Sequence, residues 1–188
     1  MAGRVSYFQN QMMFLNTIQL IKPHSLEETV QTLWQGIVHA WFPYEQHYKF
    51  GFKGATLASR NMPDVTVIKV MALQPNPRSS PDWAERQIMM IECKRPSYDT
   101  PNGWNDTIEG QFLDDLQQTL NHSKKLFGAV AIGTKVKFFR FDGKAPVNRM
   151  LTPLHRDTLD LKIPSQLIQV ENMLDYIKTN GWQWASTP

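Results

Sequence analysis

One cysteine, Cys93, is all that this chain of 188 residues carries. That excludes an internal disulfide framework and fits a reducing compartment. No apolar run approaches the ~20 residues that span a bilayer, so no membrane partner is expected. Near the N-terminus Gln9, Asn10, Gln11 and Asn16 interrupt the apolar residues, and no secretory leader is expected. The expectation is an intracellular protein, cytoplasmic or nuclear. Neither sign of charge dominates: 20 Lys and Arg against 17 Asp and Glu leave a net +3. This balance mildly favours a polyanionic partner without requiring one. His39, His47, His122 and His155 have no spacing that suits zinc. Repeats, low-complexity tracts and long linkers are missing as well. What is present, 41% hydrophobic and 20% charged residues over this length, suits one well-cored domain.

Residues 1–24 show no clear period, although Met12, Met13, Phe14, Leu15, Ile18 and Leu20 are expected to pack on the domain. Ser25-Leu26-Glu27-Glu28 reads as a capping box, with Ser25 at the N-cap and Glu28 three residues on. Behind it Leu26, Val30, Leu33, Ile37 and Trp41 recur at helical spacing until Pro43. Strands are expected over 47–52 and 64–73, the second rich in β-branched residues. Prolines and serines mark 74–86 as a loop or insertion. Residues 87–93 are nearly continuous in apolar character, as in a central strand covered on both faces. A loop over 95–106 leads to a helix over 107–126, with Ile108, Phe112, Leu116 and Leu120 every four residues. Strands follow over 127–132 and 136–141, turned by Gly133-Thr134. Prolines break up 143–164, and a last helix over 165–180 stops at Gly181. The fold class is mixed α/β, a central sheet flanked by helices. Residues 1–24 form an N-terminal extension, 25–141 the core, and 142–188 a C-terminal extension with a helix.

Within this frame two segments carry chemistry. Glu92 and Lys94 are two residues apart on a strand and therefore point to the same face. A carboxylate and an ammonium ending an apolar strand are costly to bury without partners. Asp64 begins a neighbouring strand after Pro63. Asp64 and Glu92 can supply oxygen ligands for Mg²⁺ or Mn²⁺, the Cys93 carbonyl a backbone ligand, and Lys94 the positive group beside them. The competing readings are a turn residue at Asp64 and a solvated ion pair at Glu92 and Lys94. The Cys93 thiol alternates to the other face and is expected to be a core group.

Pro63-Asp64 with Glu92-Cys93-Lys94 resembles the signature of the PD-(D/E)XK nuclease superfamily, over roughly residues 25–141. Glu92-Cys93-Lys94-Arg95-Pro96 is also similar to the Glu-x-Lys-x-Pro strand of its fungal-type members. The resemblance implies a restriction-endonuclease-like fold with an α-β-β-β-α-β core. It implies that Asp64 and Glu92 bind Mg²⁺ or Mn²⁺, and that Lys94 handles the attacking water. It also implies an assisting carboxylate on the first helix, with Glu28 the best match and Glu27 second, and an assisting Gln111 on the helix after the motif. Glu28 also reads as a capping residue and Gln111 as a solvated one. The sequence departs from the pattern in two ways. Asp64 and Glu92 lie 28 residues apart, and Asp115 stands where the RecB-like branch has a tyrosine. The implied activity is a metal-dependent nuclease, on DNA in preference to RNA, with a homodimer conceivable. The alternative is an inactive nuclease-fold module that binds nucleic acid or protein. Lys49, Lys53, Arg60, Lys124, Lys125, Lys135, Lys137 and Arg140 are candidate phosphate contacts, with Tyr48, Phe50 and Trp104 as stacking groups. Trp182 and Trp184 read as a hydrophobic tuck or a partner contact.

Overall fold

The computed structural model describes residues 5–53, 66–76 and 82–188. After a 3-10 turn at Phe8–Asn10 comes helix α1, Met12–Leu20. Phe14 and Ile18 of α1 are buried, but Met12, Met13 and Leu20 are exposed, correcting the expectation that all six apolar side chains pack inward. A short helix offers one narrow stripe to its neighbour, and the rest faces water. Helix α2 spans Glu27–Trp41 and buries Val30, Leu33, Trp34, Ile37 and Val38. Its expected capping box does not form: Leu26 is the N-cap, without a side-chain cap. Ser25 is engaged elsewhere. Its Oγ accepts from the Lys22 N–H at 2.9 Å and donates to the Leu20 carbonyl at 3.2 Å.

The sheet strands are β1, Tyr48–Lys53; β2, Thr66–Pro75; β3, Trp83–Lys94; β4, Lys125–Ile132; and β5, Lys135–Asp142, with short β6, Leu151–Pro153, and β7, Leu159–Asp160. β2 and β3 reach well into the segment read as a loop, pairing Gln74 with Ala84 and Pro75 with Trp83. Pro75 is tolerated because it ends its strand. Strands β1 to β6 lie in sequence order, β7 pairs with β5, and the open sheet has seven strands among the described residues. β3 and β4 are parallel; the other pairings are antiparallel.

A parallel pair needs a crossover, and this one is helix α3, Pro101–Asp106, a π-type segment, Thr107–Phe112, and helix α4, Leu113–Gln117. The helix expected over 107–126 therefore starts earlier and ends sooner. Thr100 caps α3 by accepting from the Gly103 N–H at 3.0 Å, and Pro101 occupies the first turn, where its missing N–H costs nothing. Leu120 is 97% exposed, outside the helical stripe. Asn121 then ties strand to strand: its amide donates to the carbonyls of Gln87 at 2.6 Å and Lys125 at 2.8 Å.

Helices cover both faces. α1, α2 and helix α5, Pro164–Ser186, close over one core with Ile91, Cys93, Ala129, Ala131, Val136 and Phe138. The crossover closes over the other with Val67, Met90, Val130, Ile132, Phe139 and Phe141. Between Val70 and Met71 the β2–β3 register shifts, leaving Ile88 as the extra residue of a β-bulge. Gly181 does not end α5. It lets the helix approach that bulge, where a Cβ would stand 3.0 Å from the Ile88 Cβ. The tryptophans beyond it tuck in: the Trp184 indole donates to the Phe141 carbonyl at 3.1 Å.

Candidate functional site

β3 is buried along its last seven residues, so Glu92 and Lys94 end an otherwise apolar strand inside the protein. Glu92 is 0% exposed and Lys94 5%. The Lys94 Nζ lies 3.1 Å from Glu92 Oε1 and donates to Gln111 Oε1 at 3.3 Å. Two of the expected site residues are thus brought into contact, and the third, Gln111, is aimed at them rather than at solvent. A kink delivers it. Gly110 adopts φ −93° and ψ −110°, outside the helical region, within the π-type segment. Such local departures from α-geometry commonly re-aim a side chain.

Asp64 lies outside the described residues. Cys93 faces the α2–α5 core, and its thiol is held well above its ordinary pKa, first by burial and then by the Glu92 charge, with Lys94 acting the other way. A protonated core thiol is no ligand, which leaves only the Cys93 carbonyl for the role expected of that residue. Glu28 is exposed. Its neighbour Glu27 is buried, and Glu27 Oε1 lies 3.6 Å from the Nε of Arg95, directly after Lys94. Helix α2 therefore presents Glu27, the second choice from sequence, to the end of β3.

Around the pair stand groups that sequence reasoning passed over. Tyr98 places its ring 5.9 Å from the Lys94 Nζ and 5.5 Å from the Arg95 guanidinium. Asp99 accepts from the Trp104 indole at 2.9 Å and pairs with Lys135 at 2.6 Å. Burial would raise its pKa, but the Lys135 and Trp104 hydrogen bonds and the Lys135 charge outweigh that and hold the carboxyl below its ordinary range. The only sequence signal for these residues was their place immediately after the motif.

The basic side chains expected to meet phosphate are largely committed elsewhere. Lys49 pairs with Glu85, Lys124 donates to the Thr119 carbonyl at 3.0 Å, and Lys125 donates to the Pro188 carbonyl at 3.0 Å. Lys137 lies 5.0 Å above Trp104 and Arg140 4.8 Å above Trp184. Arg60 and the side chain of Lys53 lie outside the described residues.

No group of three or more His, Cys, Asp or Glu side chains among the described residues could hold a metal ion. What the described residues offer at the end of β3 is a fully buried carboxylate, Glu92, with an ammonium and an amide beside it. Mg²⁺ takes one or two carboxylates and keeps waters and substrate oxygens for its other positions, so a second carboxylate would complete a fitting donor set. An apolar cavity of about 270 Å³ between α1 and α2 contains none of these residues. Among the described residues no helix is long and apolar enough to cross a membrane. No protein-family model, curated protein or solved structure matches the chain.

Proposed function

We propose that this protein is a metal-dependent nuclease of the PD-(D/E)XK type, acting on DNA in preference to RNA. The observation that carries the reading is the buried Glu92–Lys94 pair with Gln111 on the Lys94 ammonium. A solvated ion pair contributes little and has no reason to sit at 0% exposure on the central strand. A pair set into a dry sheet end instead works where electrostatic interactions are strong. The order of α2, β1, β2, β3, crossover and β4 agrees with the core that the signature implies.

Glu92 and Asp64 would hold Mg²⁺ or Mn²⁺, with the Cys93 carbonyl as a backbone ligand. Bound there, the cation would polarise the scissile phosphate and acidify a coordinated water. Lys94 would orient the attacking water and balance the negative charge that grows on phosphorus. Gln111 would hold the Lys94 ammonium in position, and Glu27, in preference to the exposed Glu28, would steady Arg95 at the strand end.

The test is incubation with supercoiled plasmid, single-stranded DNA and RNA in Mg²⁺, Mn²⁺ or EDTA. Cleavage is expected with metal, lost in EDTA, and lost in Asp64→Ala and Lys94→Ala. Equal background in wild type and variants would sink the proposal. Metal-independent binding without cleavage would identify an inactive module.

A further inference from the structure

Just beyond the Glu92–Lys94 pair, a cleft of about 320 Å³ opens across the end of the sheet. Four separate segments form it: Ile21–Pro23 between α1 and α2, Pro96–Asp99 after β3, Ile132–Thr134 at the β4–β5 turn, and Lys162 before α5. It adjoins the strand end that carries Lys94: Gly133 of its lining donates its N–H to the Lys94 carbonyl at 3.1 Å. β3 and β4 are the parallel pair of the sheet, and this cleft lies outside their carboxyl ends, where open α/β sheets receive ligands.

Two lysines set its electrostatics. Neither the Lys22 nor the Lys162 ammonium has an ion-pair or hydrogen-bond partner among the described residues. Lys49, Lys94, Lys124, Lys125, Lys135 and Lys178 are all engaged. The carboxylate lining the cleft, Asp99, is balanced by Lys135. Asp160 nearby accepts from the Lys162 backbone N–H at 3.0 Å. Both lysines project from ordered turns rather than loose chain. The Lys22 N–H donates to Ser25 Oγ, and the Ser25 N–H returns a bond to the Lys22 carbonyl at 2.9 Å. The Leu161 N–H donates to the Thr134 carbonyl at 2.9 Å, fixing the Lys162 segment to the turn. Ser97 and Thr134 add hydroxyls to the lining. Two cations without ion-pair partners, in a cleft that also carries the Ser97 and Thr134 hydroxyls, are a match for a phosphate group.

We infer that this cleft, through Lys22 and Lys162, holds a backbone phosphate of the nucleic-acid strand being cut, next to the scissile one. The inference rests on the nuclease reading. It assigns grip to residues outside the signature, and so accounts for how a chain whose other lysines are mostly committed holds a polyanion.

The experiment measures binding of fluorescein-labelled duplex and single-stranded DNA by anisotropy in EDTA, across a salt series, apart from any cleavage assay. Lys22→Ala/Lys162→Ala is compared with wild type and with Lys144→Ala/Arg149→Ala, which removes equal charge at the opposite end of the β4–β5 hairpin. Each phosphate contact contributes about 0.9 to the slope of log K against log salt on duplex, and about 0.7 on single strands. With one phosphate released, the cleft variant should lose about 0.9 in that slope on duplex and about 0.7 on single strands, while the control loses neither slope nor affinity. Lys22→Arg/Lys162→Arg should retain both. If wild type binds and cuts but the cleft variant keeps its slope, or the control falls equally, the inference is overturned and the nuclease reading stands. If wild type neither binds nor cuts, both fall together.

Discussion

Glu92 and Lys94 make opposite demands on stability and chemistry, and single and paired substitutions separate them. With both charges buried and 3.1 Å apart, removing one leaves the other in a dry site. Breaking such a pair from one side costs about 3–5 kcal/mol, whereas replacing both residues with well-packed hydrophobic ones of similar volume is often neutral or stabilising. Lys94→Met should therefore lower the urea unfolding free energy by about that amount. Glu92→Met/Lys94→Met should regain most of it and still cut nothing. Two variants of equal stability would show that the carboxylate and the ammonium do not depend on each other.

Elements in this fold are positioned by a few close approaches, and α5 and α2 make a matched comparison. On α5, Gly181 lies against Ile88, held in a β-bulge that cannot easily yield, so an added methyl meets a Cβ at 3.0 Å. On α2, a methyl at Gly36 meets nothing within 4 Å. Gly181→Ala should destabilise by about 1–3 kcal/mol through overpacking. Gly36→Ala should stabilise by up to about 1 kcal/mol through helix propensity. Thermal unfolding of the two variants checks the signs, and a stabilising Gly181→Ala would refute the close-packing account.

The same scale shows what a sequence can and cannot reveal. The central strand and α2 were legible, since their apolar spacing is strong and burial follows it. Gly181 looked like a helix stop because a glycine's need for space and its need for positive φ are indistinguishable in sequence. The crossover start was hidden because Thr100-Pro101 serves turns and helix caps alike. The spacing of Glu92 and Lys94 puts both on one face, but it leaves a solvated ion pair open, and their burial as a pair is settled only by what packs around the strand end. The choice of Glu27 over Glu28 was not, because a one-residue shift at a helix start decides which carboxylate faces inward, and Ser25 turned out to be bonded elsewhere.

At the scale of the whole molecule, a neutral His155 contributes to stability by joining a loop to the sheet. His155 Nε2 accepts from the Phe138 N–H at 2.9 Å, and Nδ1 lies 2.6 Å from the Asp157 carbonyl, so the ring ties residues 155–157 to β5 as the Nδ1–H tautomer. Burial, with some help from the Lys137 charge, lowers its pKa below the ordinary 6.5, against the opposing effect of Asp157. A folded-state pKa that is depressed in a histidine favours the neutral form. Its contribution is therefore complete above about pH 6.5 and fades as pH falls through the lower folded value. The gap in unfolding free energy between wild type and His155→Gln should be widest above neutrality and narrow in mild acid. A gap constant with pH would mean that the ring titrates as it does in the unfolded chain.

The crossover between β3 and β4 has a consequence in time. Glu92, Lys94 and Gln111 all belong to this one β3–crossover–β4 unit, yet its two strands cannot zip together through a tight turn as β4 with β5 can. The intervening chain must close a loop before the strands meet, and non-local parallel pairing is the slow kind. Glu92 and Lys94 are therefore expected to stay hydrated until the crossover docks. If the pair works as proposed, its chemistry waits on that docking, because a partly folded chain carries the two charges without the buried surroundings that give them force.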